Sequence, residues 1–162
     1  MILARTVRLF IVGAVLAIAV PVPTATAQTR IAHIVAAEGA QRAIAAALAE
    51  AKKQGWNVSI AVVDNGGELV GFLRMDTAAP GSADISQAKA RTAARMKRPT
   101  RALDSTLTAG RIAILGLPGV TPVEGGVPII VNGEIIGAIG VSGATSAQDA
   151  QLAQAGAAAV QP

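Results

Sequence analysis

The hydrophobic pattern of this chain switches between a helical period and an alternating one, and the switches mark its elements. Residues 30–54 are rich in Ala, the best helix former. A helical wheel puts His33, Ala37, Ala40, Ile44, Leu48 and Ala51 on one side, with Glu38, Arg42, Glu50 and Lys53 opposite. One long helix is predicted there, closed by Gly55. The short β-branched stretch NVSIAVVD, residues 57–64, reads as a strand, Asn65-Gly66-Gly67 as a turn, and ELVGFLRM, residues 68–75, as the returning strand. A second helix is expected over residues 82–97, with Ser82 at its N-cap and Ile85, Lys89, Thr92 and Met96 sharing a face.

The second half repeats the theme. A short helix is expected within residues 100–109 and a short strand at residues 112–115. GLPGVTPVEGG, residues 116–126, reads as an ordered, turn-rich loop because it is short and flanked by apolar runs. Asn132-Gly133 predicts a tight hairpin between strands at 127–131 and 134–141. Strict alternation along the second arm would put Gly137 on the face of Ile135 and Ile139, and Gly140 on the opposite face with Ile136 and Ala138. Missing side chains there would let a helix or another subunit approach the sheet backbone. Ser146 with Asp149 resembles a capping box opening a last Ala-rich helix over residues 147–160. The fold class is therefore α+β, an antiparallel sheet of about five strands covered by helices, in the order α-β-β-α-(β)-β-β-α.

The N-terminus changes the picture. Arg5 and Arg8 precede an apolar run from Leu9 to Val20, and Ala25-Thr26-Ala27 supplies small residues for cleavage. This is the layout of a secretory signal peptide over residues 1–27, and the run is too short for a bilayer span of about 20 residues. Residues 28–162 are then expected as a single periplasmic or secreted domain with no stable membrane insertion. Losing Arg5 and Arg8 halves the formal net charge of +4, so charge does not argue for nucleic acid. Nor do the aromatics: beyond the signal only Trp56 and Phe72 remain, too few for a base-stacking surface. The chain has no cysteine, hence no disulfide and no thiolate.

Candidate chemistry is sparse. Ser142 lacks the G-x-S-x-G setting, the glycine loops lack the Lys-Ser/Thr of a phosphate loop, and no carboxylate–histidine cluster has helical spacing. Six cations crowd residues 89–101, which could be a solvated basic face. Lys89, on an apolar face, reads either as a snorkelling lysine or as an anion ligand, and so does Arg74 at the end of its strand. His33 is the single histidine. On an apolar helix face it would ordinarily be a packed residue, although a neutral imidazole also ligates metals and haem iron.

Three blocks carry a family resemblance: SIAVVDNGGELVGFLRMDTA, SADISQAKARTAARMKRPTRAL and LPGVTPVEGGVPIIVNGEIIGAIGVSGATSAQDAQLAQAG. Together they resemble the GlcG/HbpS family of small haem-binding proteins, related to the C-terminal domain of PduO-type adenosyltransferases. The resemblance covers roughly residues 30–160 and implies a profilin-like antiparallel sheet flanked by helices, and homo-oligomers, often octamers. It also implies haem as cofactor. His33 would contact the metal, and Arg74, Lys89 or Arg95 would pair with the propionates, since an apolar disc with two anionic tails needs an apolar slot beside cations. The exported relatives' E-x-x-E iron motif is missing here. The expected function is an exported small-ligand binder, with haem the ligand and a role in haem or iron handling or redox sensing. Two other readings stay open: an enzyme acting on small hydroxy- or oxo-acids or degrading haem, and an oligomeric scaffold without ligand.

Overall fold

Alternation in the segment SIAVVD decides the layering of the molecule. As strand β1 (Ser59–Asp64) it sends Ile60 and Val62 to one side and Ala61 and Val63 to the other, and all four are buried. A strand buried on both faces needs helices on both. The computed structural model describes residues 31–162 and supplies them; the expected signal peptide at residues 1–27 lies outside the described residues.

The elements run α1 (Ala37–Gln54), β1, β2 (Leu69–Arg74), α2 (Ser82–Met96), α3 (Thr100–Thr108), a 3₁₀ turn (Ile112–Gly116), β3 (Gly126–Val131), β4 (Glu134–Ser142) and α4 (Ser146–Ala158). The strands form one antiparallel sheet in the order β2-β1-β4-β3, so two hairpins meet along β1 and β4. The sheet has four strands rather than the five expected. The segment expected as a fifth, residues 112–115, turns into the 3₁₀ coil, where only Ile114 is buried and Ile112 and Leu115 stay outside. A strand there would have needed a second buried position in alternation with Ile114.

The two faces are packed by opposite means. On one, α1 and α4 cover Ile60, Val62, Ile129, Ile139 and Val141 with Ala40, Ala43, Ala47, Leu152 and Ala153. Large side chains on the sheet meet small ones on the helices; each buried Val, Ile or Leu contributes about 1.5–3 kcal/mol. On the other face the sheet offers Ala61, Ala138 and glycine, and α2 answers with Ala90, Ala93 and Ala94. Gly126 and Gly140 are register partners. A Cβ on Gly140 would collide with the Ser86 carbonyl and the Ala90 amide, and one on Gly126 with the Lys89 carbonyl. The glycines form a trough in which the α2 backbone itself lies.

That trough shifts the inward face of α2: Lys89 and Thr92 of the expected face are buried, but Ile85 is not. Ser82, Ser86, Lys89, Ala90 and Ala93 point inward, while Ile85 is 43% exposed. A bulky Ile would hold the helix off the glycines; Ser and Ala let it settle. Ser82 lies inside the helix, and Gly81 precedes it at the cap position. The last helix is also capped one residue earlier than expected. Thr145 accepts from the Gln148 amide, and Gln148 returns the bond to the Thr145 amide. The loop before β3 is ordered as expected: Thr92 Oγ1 accepts from Thr121 N, and Asp104 Oδ2 accepts from Glu124 N.

The largest departure lies at the start of the domain. The expected helix over residues 30–54 begins only at Ala37; residues 31–36 form no helix, and Ala36 is extended. Their geometry follows from β4. Ile130 pairs with Ile135 but Ile129 pairs with Gly137, so Ile136 bulges out of the ladder. Its carbonyl accepts instead from Val35 N at 2.8 Å. The bulge also turns Ile136 to the α1–α4 face, joining Ile139 there rather than Ala138. Val35 is buried over Gly137, where a Cβ would come within 2.8 Å of its methyl group. Tertiary bonding thus outweighs the helix propensity of the Ala-rich sequence.

Candidate binding site at the His33 edge

His33 stands two residues before Val35, on this segment and not on a helix. It is held from two sides. Its carbonyl accepts from Asn65 Nδ2 in the β1–β2 turn at 3.1 Å. Its ring Nδ1 lies 2.7 Å from Glu134 Oε2, and the other carboxylate oxygen accepts from the His33 backbone N–H at 3.5 Å. Glu134 opens β4 just past the tight turn at Asn132-Gly133. Backbone and ring are therefore tied to both hairpins, yet the His33 side chain remains 73% exposed.

The ring borders a surface cleft of about 420 Å³. Ile34, Val131 and Ile136 make its apolar wall; Asn132, Glu134 and Gln161 supply polar groups, and Pro162 completes the lining. The packed-core reading of His33 fails, since the side chain faces solvent and a cleft.

The β1–β2 turn beside His33 explains much of the basic strip on α2. Lys97 Nζ donates to Asn65 O, Arg95 Nε to Gly66 O and Arg91 Nε to Gly67 O, at 3.1, 2.8 and 3.2 Å. Three successive turn carbonyls thus receive three cations, two from α2 and one from the residue that caps it. Arg95 also pairs with Glu68 Oε1 at 3.1 Å. The strip is a clamp on the turn that carries Asn65, and through Asn65 it steadies His33.

The three expected propionate partners are not gathered around the histidine. Lys89 is the clearest correction. It is 2% exposed, with Nζ 2.8 Å from Asp149 Oδ2 and 3.1 Å from Val141 O. Its amine neither snorkels nor faces a cleft, so no ligand carboxylate reaches it. Asp149, equally buried, also accepts from Ala144 N. Burial pushes the Asp149 carboxyl above its ordinary value, against the opposing pull of Lys89 and the amides of Ala144 and Gly143. Asp149 was expected to cap its helix; it secures Lys89 instead.

Arg74 is exposed at the other end of the sheet, paired in register with Ser59, beside a shallow cleft of about 370 Å³ with Lys52, Leu48 and Met75. The His33 end of β1 is Asp64, opposite Gly137. Five residue steps separate Ser59 from Asp64, about 17 Å of strand. Of the three cations only Arg95 lies at the His33 end.

No group of three or more His, Asp or Glu among the described residues could hold a metal ion between them. An iron already ringed by a porphyrin asks less of the protein: one axial donor and an apolar wall. A single exposed imidazole next to Ile34, Val131 and Ile136 fits that demand. Sequence reasoning selected His33 but missed Glu134 and Asn65, which hold it. Glu134 is 101 residues away along the chain, and nothing in local spacing joins the two.

Comparison with known proteins agrees with the architecture. Residues 35–158 match the family model described as haem degrading protein HbpS-like. The matched span begins two residues after His33. The chain is 51% identical over 109 residues to protein GlcG of Escherichia coli strain K12, covering 67% of this chain and 81% of that protein. It is similar to the crystal structure of a Streptomyces reticuli HbpS double mutant, with a TM-score of 0.75 and 36% identity over 87% of this chain and 97% of that one. A PduOC–heme complex is similar at a TM-score of 0.71 and 27% identity, over 78% of this chain and 95% of that one. Among the described residues no helix is long and apolar enough to cross a membrane.

Proposed function

The chain belongs to the HbpS-like family, and from that premise we propose that it binds haem at the His33 edge. One observation carries the reading: the only imidazole in the chain is exposed on an apolar cleft, with its ring fixed by a carboxylate. His33 would supply the axial nitrogen, and Ile34, Val131 and Ile136 would shield one side of the macrocycle from water. Arg95 is the retained partner for a propionate, because it lies at this end of the sheet; Lys89 is withdrawn and Arg74 is set apart by the length of β1. Bound haem would contribute the redox chemistry of its iron, and the chain's residues would bind and orient it.

Haem titration of purified protein tests the proposal. The wild type is expected to give a saturable shift of the Soret band, and His33→Ala to lose it or move it to the position of a different ligand. An identical titration in His33→Ala would remove the residue from the site.

The family description names haem degradation, which favours a second reading on the same cleft. Adding reductant and oxygen to the loaded protein separates the two: bleaching of the haem spectrum indicates turnover, and a stable spectrum indicates binding alone.

We also propose export to the periplasm or medium, on the strength of the Arg5–Ala27 segment. We further propose self-association, on the strength of Ile112, Leu115 and Ile130, each more than half exposed. N-terminal sequencing of protein recovered outside the cytoplasm should begin at Gln28, and light scattering should report a mass above that of one chain.

A further inference from the structure

We propose that Glu134 is a positioning residue for His33: its carboxylate holds the proton on Nδ1, so that Nε2 is the nitrogen offered to a ligand, and it strengthens that nitrogen as a donor. The inference rests on the haem reading for the identity of the ligand, but its geometric half stands on the chain alone.

The argument starts from the ring. A neutral imidazole has one N–H and one lone pair, and the partner of one nitrogen decides the state of the other. A carboxylate 2.7 Å from Nδ1 can only accept, so Nδ1 must donate. The lone pair is then on Nε2, at the far side of a ring that is largely exposed. Metal-bound histidines ordinarily carry this arrangement, with the second nitrogen donating to a carboxylate or carbonyl that orients the ring and raises its basicity.

Three further features suit Glu134 to the task. Both of its oxygens address His33, one the ring and one the backbone amide, so the carboxylate fixes the residue and not only its side chain. Glu134 directly follows the Asn132-Gly133 turn, whose positive φ angles of 51° and 79° set the start of β4. The bulge at Ile136 lets Val35 N bond to the same strand, two residues along from His33 on one side and from Glu134 on the other. The contact between the two side chains lies at the surface and adds little to stability, so Glu134 can be replaced without unfolding the domain.

The single histidine makes the test clean. In ¹⁵N-histidine-labelled haem-free protein, at a pH where the ring is neutral, the wild type should show protonated Nδ1 and unprotonated Nε2. In Glu134→Ala the two neutral tautomers should re-equilibrate, and Glu134→Asp should restore part of the wild-type pattern. A wild-type ring protonated on Nε2, or a tautomer unchanged in Glu134→Ala, would overturn the proposal without reference to haem. In loaded protein, Glu134→Ala should weaken haem binding by about 10- to 100-fold and raise the midpoint potential, because a poorer donor stabilises the oxidised iron less. Equal affinity and potential in the two proteins would overturn the role toward haem. Should wild type fail to bind haem at all, the haem reading falls and takes the donor half of the proposal with it; the tautomer result still decides the role of Glu134.

Discussion

Two carboxylates, each held by a nitrogen side chain at nearly equal length, sit at opposite ends of this sheet. Lys89 and Asp149 are 2.8 Å apart, with side chains 2% and 3% exposed. His33 and Glu134 are 2.7 Å apart, with side chains 73% and 39% exposed. Geometry alone would rank them as equivalents, and burial makes them different devices. The sealed pair joins α2 to α4 and, through Val141 O, to β4. Its charges left water on folding, and its attraction offsets a desolvation cost that either partner alone could not bear. The open pair has left little water behind. It sets the state of a ring that still faces a cleft. Where water is excluded the pairing secures the fold; where it is not, it fixes a side chain that solvent still reaches.

The strongest way to break the comparison is to remove one member of the sealed pair. Lys89→Met keeps the volume and deletes the cation, leaving the Asp149 carboxylate buried without its counter-charge. A loss of roughly 3–5 kcal/mol in urea unfolding at neutral pH is expected. Adding Asp149→Asn, which removes the charge but keeps an acceptor for the Ala144 amide, should recover most of it. A Lys89→Met protein as stable as wild type would mean that water reaches Asp149 and the pair is not sealed.

Acid sharpens the same contrast. Burial already raises Asp149, and Lys89 opposes that rise. Without Lys89 the folded-state pKa should climb further. A carboxyl raised on folding favours the fold when protonated, and that contribution is lost as pH rises from the ordinary carboxylate range, about 4, through the folded value. The stability gap between wild type and Lys89→Met should therefore be widest near neutrality and narrow as pH falls toward that range. Unfolding midpoints measured at the two extremes check the sign; a gap that widens in acid would contradict it.

What the sequence could reveal about these two ends followed from the range of the interactions. The hairpins were legible because Asn65-Gly66-Gly67 and Asn132-Gly133 act locally, within a few residues. The left-handed helix end at Gly55 was legible for the same reason. The last cap was legible to within one residue: Thr145–Gln148 and Ser146–Asp149 share the same spacing, and Gln is the more usual partner at the third position. On α2 the spacing places Lys89 and Thr92 correctly on the inward side but not Ile85, because apolar size does not decide burial there. Against a trough formed by Gly126 and Gly140, small side chains are the inward ones and Ile85 is left out. His33 and Lys89 were selected by residue type, but their partners, Glu134 and Asp149, lie 101 and 60 residues away. A pairing at that range is a property of the folded topology, and no periodicity in one segment encodes it. The bulge at Ile136, which decides whether residues 31–36 are helical, belongs to the same class.

The smallest effect on stability should come from the open pair, and its smallness is informative. A side-chain pair that water still reaches gains little over its hydrated alternatives, so Glu134→Ala or His33→Ala should shift unfolding by less than about 1 kcal/mol. The anchoring of residues 31–36 does not depend on it, because Val35 N–Ile136 O, Asn65 Nδ2–His33 O and the burial of Val35 remain. Thermal or urea unfolding of the two variants beside Lys89→Met would place all three on one scale. If Glu134→Ala proved as damaging as Lys89→Met, the carboxylate would be a structural member of the fold, and any change in ligand binding would trace to a displaced segment. If it proved nearly silent, a change in the ring's tautomer or in haem affinity could be assigned to the carboxylate's action on His33, because the scaffold that presents the ring would be unaltered.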